Sequence, residues 1–501
     1  MSEYLHGAYA YASANGNRIA ARSDGAVVCV GTAPVQTIAL ASGESYNVNT
    51  PVVVNNIAEA RAFFGYSKDW AKYTLCEAMH HFLETKAVGP LILINVLDPV
   101  STHKSSTATT ASKTPSGGKI VLANAEDIIL DSVVITTTGG SPTTKEKGVD
   151  YNIAYNAAKE TIEIVSIGDG LGTDALTLTY YTVTPNTVAA ADIVGATDGL
   201  GTNTGLYAIG DVYNKTGMIP AYLIVPGWSS NGTVHAAMAN VTKKVNGHWD
   251  MWMFTDLPLL NGSTPLTLAT VAEYKAQNGF TCENESVYFP MAAGTDGNKY
   301  HLSVLAAANF QELLADNEGI PYHSASNTEA GIIKDLYMGE ANVGKVFDDQ
   351  MINKYLNKNG INSAAFVGGR WVIWGAHAAD YNQTDANEVN VAETNRMMLY
   401  YLGNDFQKRR PVNVDQPLTA NDIASIVAEE QQRLDALVAM GALIFGEASI
   451  NADPIARSDV YKGDFVFAFR VTVTPLAKSL TAYVTWVSDG FETYYTELTE
   501  A

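Results

Sequence analysis

Residues 69–97, DWAKYTLCEAMHHFLETKAVGPLILINVL, carry two different periods in one run. Over residues 69–88 the apolar positions Ala71, Leu75, Ala78, Met79, Phe82 and Leu83 recur at helical spacing, which predicts a helix. Gly89-Pro90 ends it, because proline has no N–H to offer and disfavours helix in the residue before it. Residues 91–97 then form a short continuous apolar run, the pattern of a strand covered on both faces. Working outward, residues 26–30 predict a second buried strand, and residues 56–64 a helix stopped by Gly65. The chain therefore opens as β-α-β.

The same alternation returns after residue 189, with strands expected at 221–225, 249–254 and 286–291 and helices at 234–244, 266–278 and 302–315. A mostly parallel sheet covered by helices fits these segments. Between the two parts the texture changes. Residues 101–118, STHKSSTATTASKTPSGG, have no apolar period and read as a linker. Short β-rich segments follow at 119–122, 128–136, 151–155, 161–167 and 175–183, two of them alternating as TIEIVSI and LTLTYYTV. This block reads as an all-β insertion interrupting one α/β domain. The last part places helices at 390–407 and 421–440 before strands at 443–445, 465–474 and 481–487, an α+β order. In the second of these helices Ile423, Ile426, Val427, Leu434, Leu437 and Val438 share a face, and Gly441 is suited to end it. The expected division is an arm at 1–20, an α/β domain at 21–100 and 190–375, the insertion at 101–189, an α+β domain at 376–487 and a second arm at 488–501.

A chain of 501 residues exceeds one compact core. Its 47% hydrophobic and 17% charged residues leave few charges for a fully solvated surface, so partners are expected to cover part of it. A net charge of -21 disfavours nucleic acid. Cys29, Cys76 and Cys282 are too far apart to suggest a disulfide framework or a CxxC metal site, which fits a reducing cytosol. The first residues lack the basic start and apolar stretch of a secretion signal, and no apolar run is long enough for a membrane anchor.

Known chemistry is hard to find. Gly170-Leu171-Gly172-Thr173-Asp174-Ala175 matches GxGxxA formally, but a strand pattern follows where a dinucleotide site needs a helix, so a turn is expected. Pro226-Gly227-Trp228-Ser229-Ser230 lacks the second glycine of a nucleophile elbow, Asn231 standing in its place. His80 and His81 are adjacent on a helix and point about 100° apart, so they cannot chelate one metal together. Asp348-Asp349 and Glu429-Glu430 read as solvated faces. No catalytic, metal or cofactor residue is expected. Lys408-Arg409-Arg410, after a helix, either complements that helix's dipole or meets an acidic partner. The ends are unusually aromatic: Tyr4, Leu5, Tyr9 and Tyr11 at one, Phe491, Tyr494, Tyr495 and Leu498 at the other. Either end could pack as an edge strand on its own domain or add to a neighbour's sheet.

Several segments, taken in order, resemble phage tail sheath proteins: YLHGAY at residues 4–9, ADIVGATD at 191–198, TGLYA at 204–208, PAYLIVPGWS at 220–229 and NRMMLYY at 395–401. VDQP at 414–417, LDALVAMGAL at 434–443, GDFVF at 463–467 and the aromatic tail extend the resemblance over nearly the whole chain. It implies a subtilisin-like α/β middle domain without a protease triad, interrupted by a β-sandwich. It also implies hexameric rings stacked helically around a tail tube, with the terminal arms, and the residues named in them, linking subunits. The implied partners are other copies of the chain, the tail tube protein, and baseplate and tail terminator proteins. Lys408, Arg409 and Arg410 become candidate tube contacts. The implied place is a virion tail or tail-like particle, assembled in a bacterial host's cytoplasm, that contracts by rigid-body rearrangement without nucleotide hydrolysis. Two alternatives stay open: another structural protein of the baseplate or surface-layer kind, and an enzyme with a subtilisin-like or Rossmann-like core.

Overall fold

A computed structural model describes residues 25–500 except 42, 340–346, 384–387, 451–459 and 461. Its centre is a six-stranded sheet in the order Glu285–Tyr288, Trp252–Asp256, Ile219–Ile224, Gly25–Gly31, Leu91–Asn95, Val52–Val54. All neighbours run parallel except Val52–Val54, which pairs antiparallel at the edge. Every residue of Leu91–Asn95 and of Trp252–Asp256 is buried, the polar Asn95, Thr255 and Asp256 included, as strands in a sheet covered on both faces should be. One cover is the helix Leu302–Asp316, buried along its first ten residues. Its Phe310 ring meets Tyr222 at 4.9 Å and Phe254 at 5.8 Å. Removing an aromatic so placed costs about 3–5 kcal/mol.

The β-rich block forms two three-stranded antiparallel sheets. One has the order Thr109–Lys113, Leu176–Tyr180, Val134–Thr137; the other has the order Lys119–Leu122, Thr161–Ser166, Tyr151–Asn156. Alternation does the work here. Ile162 and Ile164 point inward while Val165 is exposed, and Ile120, Ile135, Leu176 and Leu178 complete a hydrophobic cluster shared by both sheets. Asp127 and Asp131 tie the block to the rest. Asp127 accepts from Lys72 Nζ at 2.5 and 2.7 Å and from the Tyr73 hydroxyl at 2.8 Å, and Asp131 accepts from Tyr46 at 3.0 Å and the Leu40 amide at 2.9 Å.

A third cluster joins the helices Glu393–Arg409 and Ala420–Met440 to the hairpin Leu443–Ile450 and Phe467–Val473, through Met398, Leu434, Leu437 and Leu443. Thr419 and Asp422 form a reciprocal cap at the start of the second helix. Gly441 ends it at φ 86°, a left-handed conformation that glycine adopts without strain. Glu393 fastens the first helix to the main sheet, its carboxylate accepting from Ser286 and, at 2.6 Å, from Ser324.

Three expectations need correction. The helix expected over 69–88 begins only at Leu75 and is wound as a π-helix over Met79–Thr85. The cause is tertiary: Thr32 accepts from the Thr74 amide at 3.0 Å and donates to Lys72 O at 2.9 Å, while Thr74 Oγ1 accepts from the Thr32 amide. These bonds hold the first turn against the loop after Gly25–Gly31. The Ser/Thr-rich stretch read as a linker contains the strand Thr109–Lys113, an edge strand whose side chains are mostly exposed and so show no apolar period. Residues 481–487, expected as a strand, have no regular structure. Nothing in the described chain pairs with them, and a strand pattern without a ladder stays open.

Candidate assembly surface

The hairpin Leu443–Ile450 and Phe467–Val473 is a two-stranded sheet resting on one face against the helix Ala420–Met440. Gly446 permits the close approach, since a Cβ there would stand 2.8 Å from Leu434 Cβ. Among the described residues neither strand has a second neighbour, so both edges are unpaired by strand. Ile444, Phe445, Ile450 and Val466 are exposed around it. At one edge a side chain stands in for a strand: Gln431 Nε2 donates to Gly446 O at 3.0 Å, and its Oε1 accepts from the Ala448 amide at 2.8 Å.

After this hairpin the chain leaves the body. Leu480, Tyr483 and Val484 are 92%, 93% and 95% exposed, and Trp486 and Val487 are exposed too. Exposed apolar side chains in such density mark an interaction surface. The final aromatic run was expected to be strand-like, and it is the helix Gly490–Glu500. Phe491, Tyr494, Tyr495 and Leu498 stand at i, i+3, i+4 and i+7, a single helical stripe, and all four are more than half exposed. Helical spacing therefore outranks β-propensity here. Tyr4, Leu5, Tyr9 and Tyr11 lie outside the described residues.

The basic cluster is largely bound within the chain. Arg409 donates to both oxygens of Glu430 at 2.7 Å and to Asp405 at 3.0 Å. Arg410 donates to Glu430 at 2.8 Å and to Glu429 at 2.9 Å. Burial alone would raise the Glu430 carboxyl, but the two arginines outweigh it and hold the group below its usual range. Glu430 is thus a buried counter-ion, where a solvated face was expected. Lys408 lines a narrow cleft with Gly25, Tyr222, Trp252 and Tyr401.

At the carboxyl ends of the parallel strands, where α/β proteins place their ligands, lies a polar cluster. Ser229 accepts from the Asp256 amide at 3.1 Å, and Ser303 donates to the Asp256 carboxylate. His301 Nδ1 sits 2.7 Å from Glu77 Oε2. Burial opposes the charged imidazole, and the Glu77 carboxylate overcomes it, raising the His301 pKa to about 9. The hydroxyl of Ser229, in the loop that partly matches a nucleophile elbow, is buried and lies 3.5 Å from the Asp256 carboxylate. Gly170–Ala175 lies in the turn before Leu176–Tyr180, as expected for a turn and not for a cofactor loop. Among the described residues no helix is long and apolar enough to cross a membrane.

No family model matches the chain. The tail sheath protein of Burkholderia phage BcepMu is 25% identical to it over 499 residues, covering 96% of each. The likeness is to tail sheaths. A tail sheath protein is matched from end to end, which is how the resemblance reads in the sequence. Solved structures agree at the level of the fold. A chain in the anti-feeding prophage baseplate, seen by electron cryomicroscopy, superimposes with a TM-score of 0.55 at 12% identity, covering 97% of this chain and 100% of that one. A chain of the contracted PVC sheath complex, from an extracellular contractile injection system, gives 0.53 at 10% identity over 98% and 100%.

Proposed function

We propose that this chain is a structural subunit of a contractile tail sheath, polymerising helically around a tail tube and contracting to drive that tube through a target envelope. The observation that carries the reading is the C-terminal segment, which leaves its own body with its large apolar side chains exposed, next to a hairpin with unpaired edges. Alone, that arrangement wastes apolar surface. In a lattice of identical copies each segment would reach a neighbour's hairpin, and likeness to a phage tail sheath protein over 96% of the chain supports an assembly of that kind.

The energetics favour many weak links. Ordering six residues costs about 6–12 kcal/mol of backbone entropy, and six net hydrogen bonds return roughly 3–9 kcal/mol. The ladder alone does not decide. Burying Tyr483 and Trp486 adds about 1.5–3 kcal/mol each, which makes one strand addition modestly favourable and a mesh of them strong.

In this reading the main sheet and its helices, residues 21–100 and 190–375, are a non-catalytic subtilisin-like scaffold interrupted by the β-sandwich at 101–189. Residues 376–487 form the assembly domain, and the ends at 1–20 and 488–501 are arms that link subunits of stacked hexameric rings. The tail tube, baseplate and terminator proteins are its partners, with Lys408, Arg409 and Arg410 as the candidate tube contacts. The subunit has no catalytic role, and its place is the tail of a virion or tail-like particle assembled in a bacterial host's cytoplasm. Electron microscopy of concentrated purified protein tests this. Striated hollow cylinders are the expected result, and a monomer that forms no ordered polymer with or without tube protein overturns it.

A further inference from the structure

A histidine, a cysteine and a glutamate converge at the start of the edge strand Glu285–Tyr288. Glu285 opens that strand and is fully buried, Cys282 precedes it by three residues and is half-buried, and His235 reaches across from the helix Gly232–Val241. Their ligand atoms all lie within 4.8 Å of one another, and His235 Nε2 is 2.8 Å from Glu285 Oε1.

We propose that His235, Cys282 and Glu285 form a binding site for a borderline divalent cation such as Zn2+, with water as the fourth ligand. Tetrahedral zinc places its ligand atoms about 3–4 Å apart, so modest adjustment brings these three into range. The donor set also fits: one imidazole nitrogen, one sulfur and one carboxylate oxygen are ligands zinc accepts together, whereas calcium and magnesium prefer oxygen alone.

Surrounding groups hold the ligands in place. Thr255 Oγ1 donates to Glu285 Oε1, and the Cys282 amide donates to Oε2 at 3.2 Å. The Phe280 ring packs on the His235 imidazole at 4.0 Å between centroids. Supporting contacts of this kind orient metal ligands. The half-buried Cys282 gives the ion a way in. Without an ion, His235 donates to Glu285 and the carboxylate is satisfied, so the metal-free chain is stable. Binding moves the imidazole proton from Nε2 to Nδ1, releases the thiol proton to solvent and joins the helix Gly232–Val241 to the edge of the main sheet.

The test uses tag-free full-length protein stripped of metal with a chelator and titrated with Co2+, whose thiolate complex absorbs in the near ultraviolet. One equivalent should bind with that band and be displaced by Zn2+. Cys282→Ala should lose the band although Cys29 and Cys76 remain, and His235→Gln should weaken binding at least about tenfold. Circular dichroism checks folding, and the half-buried Cys282→Ala is the variant that keeps the test valid if His235→Gln does not fold. Absence of binding at micromolar Co2+, binding without the band, or equal affinity in Cys282→Ala each overturns the proposal.

Discussion

Arg409 meets Glu430 end on, its two terminal nitrogens each 2.7 Å from one carboxylate oxygen, and so clamps the helix Glu393–Arg409 to the helix Ala420–Met440. Arg410 holds the same carboxylate from another side. One buried acid thus bridges two guanidinium groups, with Asp405 and Glu429 supplying further negative charge.

Removing that acid should be costly. Glu430→Ala removes the buried carboxylate shared by two guanidinium groups and leaves them only Asp405 and Glu429, a loss of about 3 kcal/mol, measurable by urea unfolding of the monomer at pH 7. Because the folded carboxyl titrates below its usual 4.5, the unfolded chain binds more protons in that interval. The contribution is present above about pH 4.5 and lost as pH falls through the folded value. Glu430→Gln should therefore flatten the acid limb of the stability profile. The same geometry says that replacing Arg409 or Arg410 tests folding before it tests tube binding, so a triple Ser variant of Lys408, Arg409 and Arg410 is read for tube co-assembly only after circular dichroism shows it folded, with the loss expected to grow in higher salt.

The His301 and Glu77 pair gives the opposite sign. A histidine raised from 6.5 to about 9 stabilises the fold fully below pH 6.5 and progressively less as pH rises to 9. Glu77→Gln should lower stability at pH 7 and remove this alkaline loss. Histidine NMR titration checks the parent, and a His301 that titrates near 6.5 would count against the pairing.

Residues 105–182 should be dispensable for folding of the rest. Lys104 bridges Val183, so the two cut ends are adjacent and a short glycine linker can join them. The boundary matters. A deletion starting at 119 would leave Thr109–Lys113 without the Leu176–Tyr180 strand it pairs with. The expected product is a soluble monomer that still polymerises, somewhat less stable for want of the Lys72 and Tyr73 bonds to Asp127. A folded product that builds no cylinders would assign the block to assembly.

Removing residues 479–501 should leave the melting temperature nearly unchanged, since every described residue removed is exposed and the Lys478 bond to Tyr381 is kept, and should abolish cylinders. Tyr494→Lys with Tyr495→Lys tests the apolar stripe alone. Cylinders from the truncated chain would refute the linking role, and unfolding would show that the segment supports its own body.

The main sheet was legible because strands covered on both faces write continuous apolar runs such as 91–97, and the paired strands around Ile162 and Ile164 because half-buried strands alternate. The failures have physical causes. Tertiary bonds from Thr32 displaced a helical turn that periodicity favoured. An exposed edge strand at 109–113 has no buried face to record. At Phe491 to Leu498 the aromatic residue types favour a strand while their spacing is helical, and the spacing prevails. The pairing of Arg409 with Glu430, and the meeting of His235 with Cys282, join residues 21 and 47 positions apart, a separation at which spacing carries no signal.

Gln431 guards one edge of the C-terminal hairpin. In the proposed lattice a strand arriving beside Leu443–Ile450 must first evict a carboxamide already bonded to Gly446 and Ala448. The glutamine thereby acts as a latch, adding a barrier to filling that edge without changing the ladder that finally forms. Gln431→Ala should speed any assembly step that uses this edge.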